Sequence, residues 1–268
     1  MTFQPLVPLS GPGGWSFLKR TEAMQSATFA RQPAIQRDEA YFRGKIGSVR
    51  TAEALVNDRR LLRITLEAFG LEADVNARAF IRKVLEDGTL RQDALANRLT
   101  DKRYLELSSA FGFGDFSVPR TVLSDFPGEV MTRWKQQRFE TAVGGVDGNL
   151  RLALNARREL ASLAAGSSSE TTKWLRILGD APLSTVMRGA LNLPRSTAAL
   201  DLDQQLSAMR SRAAAVFGAD TISQFKDSST VERLIQRFLV TASFGEGSGS
   251  ANSALTLLQQ SRSFLRRL

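Results

Sequence analysis

Apolar residues recur at intervals of three, four and seven along most of the chain, which is the spacing of one face of an α-helix. In the segment 51–70, for example, Leu55, Leu62, Leu66 and Phe69 share one such face. Valine-rich alternating runs bounded by turns, which are typical of half-buried strands, do not occur. The pattern therefore predicts an all-α, multi-helix protein.

Residues that favour helix ends subdivide this pattern. Thr51 is predicted to cap one helix, and residues 90–110 are predicted to form another that ends at Gly112. Two Ser-x-x-Glu sequences fit capping boxes, in which the serine accepts from a backbone amide and the glutamate reaches back. The predicted N-cap residues are Ser167, Asp203 and Ser229, and the predicted C-cap glycines are Gly112 and Gly218.

Two stretches of the chain resemble each other. Residues 55–62 (LVNDRRLL) correspond to residues 153–160 (ALNARREL), 98 positions later, and share the asparagine, both arginines and the last leucine. A Phe-Gly pair at 111–112 likewise corresponds to the pair at 217–218. Matches in the same order predict that a helical unit of roughly 100 residues is duplicated.

Proline and glycine mark the boundaries between the predicted helical segments. They are concentrated in residues 1–14, which are expected to form an extended arm, and in residues 116–128. We therefore expect an N-terminal arm and short helix (1–34), a first helical repeat (35–115), a connecting segment (116–136), a second helical repeat (137–220), and C-terminal helices or a truncated third repeat (221–268).

The 268-residue chain contains no cysteine and no histidine. Without cysteine there can be no disulfide, thiol nucleophile or cysteine-ligated zinc. Without histidine, the commonest general base and metal ligand is missing. An enzyme would need lysine or carboxylate chemistry in a pocket that the sequence does not reveal, so the expected class is non-enzymatic.

No stretch of the sequence predicts a cofactor or metal site. The glycine-rich residues 11–14 and 112–114 neither follow a strand nor continue as a phosphate-binding loop. Asp201 and Asp203 are interpreted as helix caps rather than paired catalytic acids. Residues 147–149 lack the spaced oxygens of a calcium loop, so we expect no cofactor and no metal.

The formal net charge is +9 at pH 7. A basic protein is a candidate for binding nucleic acid or an anionic membrane surface. The lysines and arginines are, however, spread along the chain among apolar residues, as on solvated helix faces. This distribution favours solvated helix faces over a nucleic-acid interface, and nucleic-acid binding is kept as the alternative function.

The repeated arginines and the C-terminal residues are the candidates for contact with a partner. The arginines either bridge helices within the fold or present a shared basic surface. Beyond a Gly/Ser-rich link at 245–250, residues 254–268 have the pattern of an amphipathic helix that packs on its own domain, pairs with another subunit or docks into a groove. The candidate residues are Arg59, Arg60, Arg157, Arg158, Leu257, Phe264, Leu265 and Arg266.

Several sequence stretches together resemble a known family. They are TAEALVNDRRLL at 51–62, AFIRKVL at 79–85, AFGFG at 110–114, NLRLAL at 149–154 and LDLDQQL at 200–206. These stretches are similar to an alphaproteobacterial family of unknown function whose genes often lie in flagellar gene clusters. The family offers no catalytic residues that could be carried over to this chain.

The resemblance implies a flagellar context. We therefore expect a non-enzymatic, flagellum-associated protein with a structural, assembly or chaperone-like role, and the alternative is a basic nucleic-acid-binding protein. The expected partner is a protein, such as a flagellar component, while the oligomeric state is left open. No run reaches the roughly 18–20 apolar residues of a membrane span, and no cleavable signal peptide is evident. The expected location is the cytoplasm, or the flagellum after export without such a peptide.

Overall fold

The computed structural model describes residues 3–244. Throughout this range the chain forms α-helices connected by loops and short 3₁₀ turns, and it contains no strand. The all-α prediction is confirmed. The helices are α1 (Gly11–Ala30), α2 (Pro33–Lys45), α3 (Ala52–Asn57), α4 (Arg59–Ala68), α5 (Arg78–Asp87), α6 (Leu95–Arg98), α7 (Arg103–Phe111), α8 (Phe126–Gly144), α9 (Gly148–Ala165), α10 (Glu170–Gly179), α11 (Ala181–Ala190), α12 (Leu202–Phe217) and α13 (228–244).

Contacts group the chain into two compact units. Unit 1 comprises Met1–Leu6 and Leu18–Val146, and unit 2 comprises Val7–Phe17 and Asp147–Leu268. Helix α1 therefore contributes residues to both units. The predicted repeats and their boundaries stay a prediction. No helix within residues 3–244 is both long enough and apolar enough to cross a membrane.

The core of unit 1 forms where α4 packs against α8. Leu62 and Leu66 of α4 are fully buried, as is Trp134 of α8. The Phe111 ring at the end of α7 meets the Phe126 ring edge to face, with 5.0 Å between the ring centroids. These contacts fix both ends of the connection between α7 and α8.

In unit 2, α9 packs against α11 and against a 3₁₀ turn at Ile222–Lys226. Trp174 of α10 is fully buried, and its indole N–H donates to the carbonyl of Asp220 at 2.8 Å. Trp15 is also fully buried within this unit, and its indole N–H donates to the Glu232 carboxylate at 3.1 Å. Each tryptophan therefore buries its apolar ring while its indole N–H donates to a hydrogen-bond acceptor.

The stripe predicted over 51–70 is two helices rather than one. Thr51 caps α3 as predicted, since its hydroxyl accepts from the Ala54 amide at 3.1 Å. Asp58 then leaves the helical conformation and caps α4, accepting from the amides of Arg60 and Leu61 at 3.0 Å. Because apolar spacing continues across the break, the sequence pattern does not show it.

The predicted C-caps Gly112 and Gly218 are confirmed, and of the two aspartates interpreted as caps Asp201 is confirmed, but Ser167, Asp203 and Ser229 each lie two residues from the observed N-cap. Gly112 and Gly218 end α7 and α12 in the left-handed conformation, with φ of 67° and 98°. At the helix starts, several short polar residues lie within one turn, and sequence alone ranks them poorly. The observed N-caps are Ser169, Asp201 and Asp227 in place of Ser167, Asp203 and Ser229.

The two predicted capping boxes are also replaced by longer-range contacts. The Glu170 carboxylate accepts from the Ile222 amide at 2.5 Å and from the Ser223 amide at 3.4 Å, so it orders the distant 3₁₀ turn. Glu232 accepts from Trp15 instead of reaching back to its own helix start. At the N-terminus, helix α1 begins at Gly11, inside the segment 1–14 that was expected to be extended.

The cap of α13 predicts a pH-dependent stability. Hydrogen bonds from Ser229 and Thr230 lower the pKa of Asp227 to about 2. A carboxylate whose folded pKa is depressed stabilises the fold above its unfolded pKa, and that contribution disappears as the pH falls from about 4 to about 2. We expect the difference in unfolding midpoint between wild type and Asp227→Asn to shrink over this range. Urea unfolding at a series of pH values tests this, and a constant difference would contradict it.

Candidate protein-binding surface

Two loops of unit 1, residues 88–94 and 112–125, lie directly against each other. Their closest approach is at Gly88 and Gly114, where no side chain intervenes. A Cβ atom on Gly114 would lie 2.3 Å from the Glu86 carbonyl oxygen and 2.4 Å from the Gly88 nitrogen. The two loop backbones are therefore in contact.

Asp115 ties these loops together. Its Oδ1 accepts from the backbone amides of Thr89 and Leu90 at 2.6 and 3.1 Å, and its Oδ2 accepts from the Thr89 hydroxyl at 2.7 Å. The Asn97 side-chain amide donates to the carbonyls of Thr89 and Arg91 at 2.8 and 2.6 Å. The first loop is therefore held from two sides by hydrogen bonds.

The second loop is anchored at its ends. The buried hydroxyl of Thr121 donates to the Val49 carbonyl at 2.6 Å. The Phe116 ring lies over Gly112, where a Cβ atom would approach the ring to 2.7 Å. Gly112 serves as a C-cap whose amide donates to Ser108, and Gly114 allows the contact with Gly88. The glycines at 112–114 thus have structural roles.

On this ordered base, four large apolar side chains face solvent. Their relative exposures are 72% for Leu90, 53% for Phe116, 57% for Val118 and 47% for Leu123. We call these four residues the loop patch. Single exposed apolar residues are ordinary, but several on adjoining ordered loops are typical of an interaction surface.

Two ion pairs lie in or beside these loops. Arg91 and Asp93 form a salt bridge at 2.8 Å, and Arg120 lies 3.7 Å from Glu129. Both pairs are exposed enough for water to screen them, so they contribute little stability. Each pair combines one positive and one negative side chain, so neither adds net charge to these loops.

The first pair of predicted partner-binding arginines lies at the start of α4. Arg59 is exposed, whereas Arg60 is half-buried, pairs with Asp38 at 2.7 Å and stacks over the Tyr41 ring at 4.3 Å. Arg63 also contacts Asp38, at 2.8 Å. Partial burial raises the pKa of Asp38, but the hydrogen bonds and charges of Arg63 and Arg60 outweigh this and lower its pKa overall.

The second pair lies in the middle of α9. Both arginines are half-buried: Arg157 stacks over the Trp15 ring at 5.3 Å, and Arg158 pairs with Glu159. The matching sequences therefore occupy different local structures, because Asp58 interrupts the helix in the first copy and Ala156 cannot in the second. The structure places the two pairs in different units and gives Arg60, Arg157 and Arg158 internal contacts. The remaining predicted residues, Leu257, Phe264, Leu265 and Arg266, lie outside the described residues.

Leu90 was missed as a surface residue because residues 90–110 were predicted to be one helix, whereas Phe116, Val118 and Leu123 lie in the predicted connecting segment 116–136, where no partner contact was expected. The prediction is wrong for residues 90–94 and 99–102, which lie outside helices α6 and α7. The Gly-Thr at 88–89 and the Gly, Ser and Pro residues among 112–119 were the available sign that apolar residues there lie in loops. No group of three or more acidic side chains that could hold a metal ion occurs in residues 3–244.

Both loops lie within the part of the chain that matches a known sequence family. The sequence profile of a family described as "Protein of unknown function (DUF1217)" matches residues 68–231. The chain belongs to this family. The DUF1217 region contains the whole loop patch and ends within the first turn of α13. The prediction of a family of unknown function is thereby confirmed.

A solved structure shares the fold of this DUF1217 protein. The crystal structure of protein AGR_C_984 from Agrobacterium tumefaciens is similar with a TM-score of 0.71 and 28% sequence identity. The similarity covers 89% of this chain and 97% of that one. No curated protein matches the chain.

Proposed function

We propose that this DUF1217 protein is a non-enzymatic, flagellum-associated factor that acts through protein–protein contacts in a structural, assembly or chaperone-like role. The proposal that the protein acts through contacts with another protein rests on the loop patch. Burial of exposed apolar surface releases roughly 25 cal/mol per Å², so a partner that covers the patch gains free energy from it.

The order of the two loops supports this proposal. Association costs free energy when flexible loops must be immobilised. Here the carboxylate of Asp115 and the contact between Gly88 and Gly114 already hold the loops. A partner would therefore meet a largely preformed surface that carries exposed apolar side chains, as interfaces usually do.

The flagellar context rests on the sequence resemblance, which covers stretches in both units. The loop patch indicates the chemistry of the partner. The partner would be a protein whose surface offers apolar side chains and needs no strong charge. A flagellar structural or export component is the specific partner that we propose.

The alternative, binding of nucleic acid, draws on the net charge of +9. In unit 1, however, Arg60 and Arg63 are already paired with Asp38. A phosphate would have to displace that carboxylate, which reduces the gain from such a contact. Nucleic-acid binding is therefore an outcome to be tested beside the protein contact.

The test replaces the two most exposed residues of the loop patch, Leu90 and Val118. We expect Leu90→Asp/Val118→Asp to reduce recovery of the partner at least tenfold in affinity purification from motile cells, because burying two uncompensated carboxylates opposes binding. A deletion strain should swim poorly, and wild type should restore swimming where the double variant does not.

The control is Met24→Asp, which makes one change of the same kind at a 68%-exposed position of unit 1 outside the patch. It should behave as wild type in both measurements, and all three proteins should have similar circular dichroism spectra. Normal swimming of the deletion strain would refute the flagellar role. Equal partner recovery by both variants would refute the patch as the contact surface, and salt-sensitive binding of DNA would favour the alternative.

A further inference from the structure

The excess positive charge of unit 1 is confined to one stretch of the chain. Residues 31–63, which form α2, α3 and the first half of α4, contain eight lysines and arginines against four acidic residues. The other residues of unit 1 contain thirteen of each kind, so their charges cancel. Such an asymmetry favours association with a partner of opposite charge.

All four carboxylates of residues 31–63 already have partners within unit 1. Each of them contacts the positive end of a basic side chain or accepts from a phenol. These pairs are Asp38 with Arg60 at 2.7 Å, Glu39 with Lys135 at 3.1 Å, Glu53 with Arg82 at 3.0 Å, and Asp58 with the Tyr41 hydroxyl at 2.7 Å. The negative charges of this stretch are therefore already engaged.

Three cations near Tyr41 have no such partner. The side chains of Arg37, Lys45 and Arg59 are exposed and make no hydrogen bond or ion pair with any of the described residues. We call these three residues the basic surface. Arg37 and Lys45 lie about one helical turn before and after Tyr41 in α2, and Arg59 directly follows Asp58.

The contact between Tyr41 and Asp58 brings the members of the basic surface together. Arg60 also stacks over the Tyr41 ring at 4.3 Å, which holds the start of α4 beside α2. Partial burial raises the pKa of Asp58, but its hydrogen bonds and the charge of Lys45 outweigh this and lower its pKa overall. Lys45 is therefore near Asp58, and its ammonium group is still available to a partner.

We propose that the basic surface binds an acidic segment of a protein partner. The Cα atoms of Arg37 and Lys45 lie about 12 Å apart, because an α-helix rises about 1.5 Å per residue. Carboxylates at a matching separation can meet both cations at once, and an arginine can hold a carboxylate with two parallel hydrogen bonds. This contact is independent of the loop patch, which is apolar.

The carboxylates beside the three cations favour a protein over a nucleic acid. A DNA duplex carries one negative charge per about 1.7 Å of its axis, so it would bring phosphates against Asp58 and Asp38 as well as against the cations. An acidic protein segment can place carboxylates at the cations and neutral or basic groups at the remaining positions.

The exposed side chains near the basic surface favour a protein over a membrane as well. Within the described residues, no large apolar side chain between Met24 and Leu90 is exposed. A lipid surface would therefore gain only electrostatic attraction here, whereas proteins that bind membrane surfaces usually also bury apolar side chains among the lipids.

A titration of the full chain with a synthetic peptide, followed by NMR of the backbone amides at low salt, tests this proposal. The probe is an alanine-rich helical peptide of about 20 residues with glutamates at every fourth position. It should shift the amide signals of α2 and of the first turn of α4. The same peptide with glutamines in place of the glutamates should not shift them.

Charge reversal within the basic surface should weaken this binding. We expect Arg37→Glu/Lys45→Glu to reduce the affinity about tenfold, because two attractive pairs become repulsive. The milder variant Arg37→Gln/Lys45→Gln, which adds no charge beside Asp58, should reduce it about threefold. Circular dichroism should show that both variants are folded, since neither substituted side chain has a hydrogen bond or ion pair within the described residues.

The matched control is Arg78→Glu/Arg98→Glu, which reverses two exposed cations of unit 1 outside the basic surface. It changes the net charge equally and should bind the peptide within about twofold of wild type, since only the distant part of the charge differs. The loop-patch variant Leu90→Asp/Val118→Asp should also bind it, so the two surfaces are tested separately.

Three results would overturn the proposal. Equal binding of the glutamate and glutamine peptides would show that carboxylates are not recognised. An equal loss in both charge-reversal variants would mean that net charge alone attracts the peptide. Tighter binding of a DNA duplex or of phosphatidylglycerol vesicles than of the peptide, lost in Arg37→Glu/Lys45→Glu, would assign the basic surface to that ligand instead.

Discussion

Trp134→Ala is expected to lower the free energy of unfolding of unit 1 by about 3–5 kcal/mol, the usual effect of deleting a large buried aromatic side chain. Trp134 is fully buried where α8 packs against α4. Its indole N–H donates to Glu67 Oε2 at 2.7 Å, so the substitution removes both packing and a hydrogen bond to a charged group. Urea denaturation followed by circular dichroism measures the change.

Trp134→Phe separates these two contributions. It keeps most of the ring volume but leaves the carboxylate of Glu67 with one donor fewer, and we expect a loss of about 1–3 kcal/mol. Glu67 retains Arg63 at 3.1 Å as an ion-pair partner. Met24→Ala, at an exposed position of the same unit, should change stability by less than about 0.5 kcal/mol. If Trp134→Ala were as mild as Met24→Ala, the packing of α8 against α4 described above would be wrong.

Gly114→Ala is expected to destabilise unit 1 by about 3 kcal/mol, at the upper end of the usual effect of overpacking. The new methyl group would lie within 2.4 Å of backbone atoms of Glu86 and Gly88, and neither can move as a flexible side chain could. The loops must separate, which strains the hydrogen bonds of Asp115. We therefore also expect weaker binding of the partner through the loop patch.

Gly44→Ala also replaces a glycine with an alanine, but we expect it to raise the free energy of unfolding rather than lower it. Gly44 lies within α2, and no atom approaches its Cβ position to within 4 Å. Replacement should stabilise the fold by about 0.5–1 kcal/mol because alanine loses less backbone entropy on helix formation. Thermal and urea unfolding of the two variants side by side tests the pair. Equal stability of Gly114→Ala and wild type would show that the loops do not touch.

The sequence predicted local structure best at positions where a single residue type suits the required backbone conformation. Gly112 and Gly218 are examples, because glycine takes the left-handed conformation at a helix end without strain. Where several short polar residues were neighbours, the prediction was wrong by two positions. Ser229 and Asp227 both have side chains suited to capping, and only the packed position of α13 selects Asp227.

The candidate site was less predictable than the fold. Repeated arginines drew attention in the sequence, yet Arg60 and Arg158 are held by acidic neighbours. The partner of Arg60, Asp38, lies 22 residues away in the chain, and no periodicity reveals such a pairing. The loop patch was hidden for the reverse reason: Leu90 looks like a core residue of a predicted helix until the path of the loops is known.

The sequence by itself determined that this chain is helical, because apolar spacing and helix-ending residues act locally along the backbone. It also determined that the fold must be stabilised without disulfides or histidine-ligated metal. Only the tertiary structure decided which apolar residues remain exposed. Burial depends on which distant segments meet, such as Gly88 with Gly114, and that meeting is what places the loop patch on the surface.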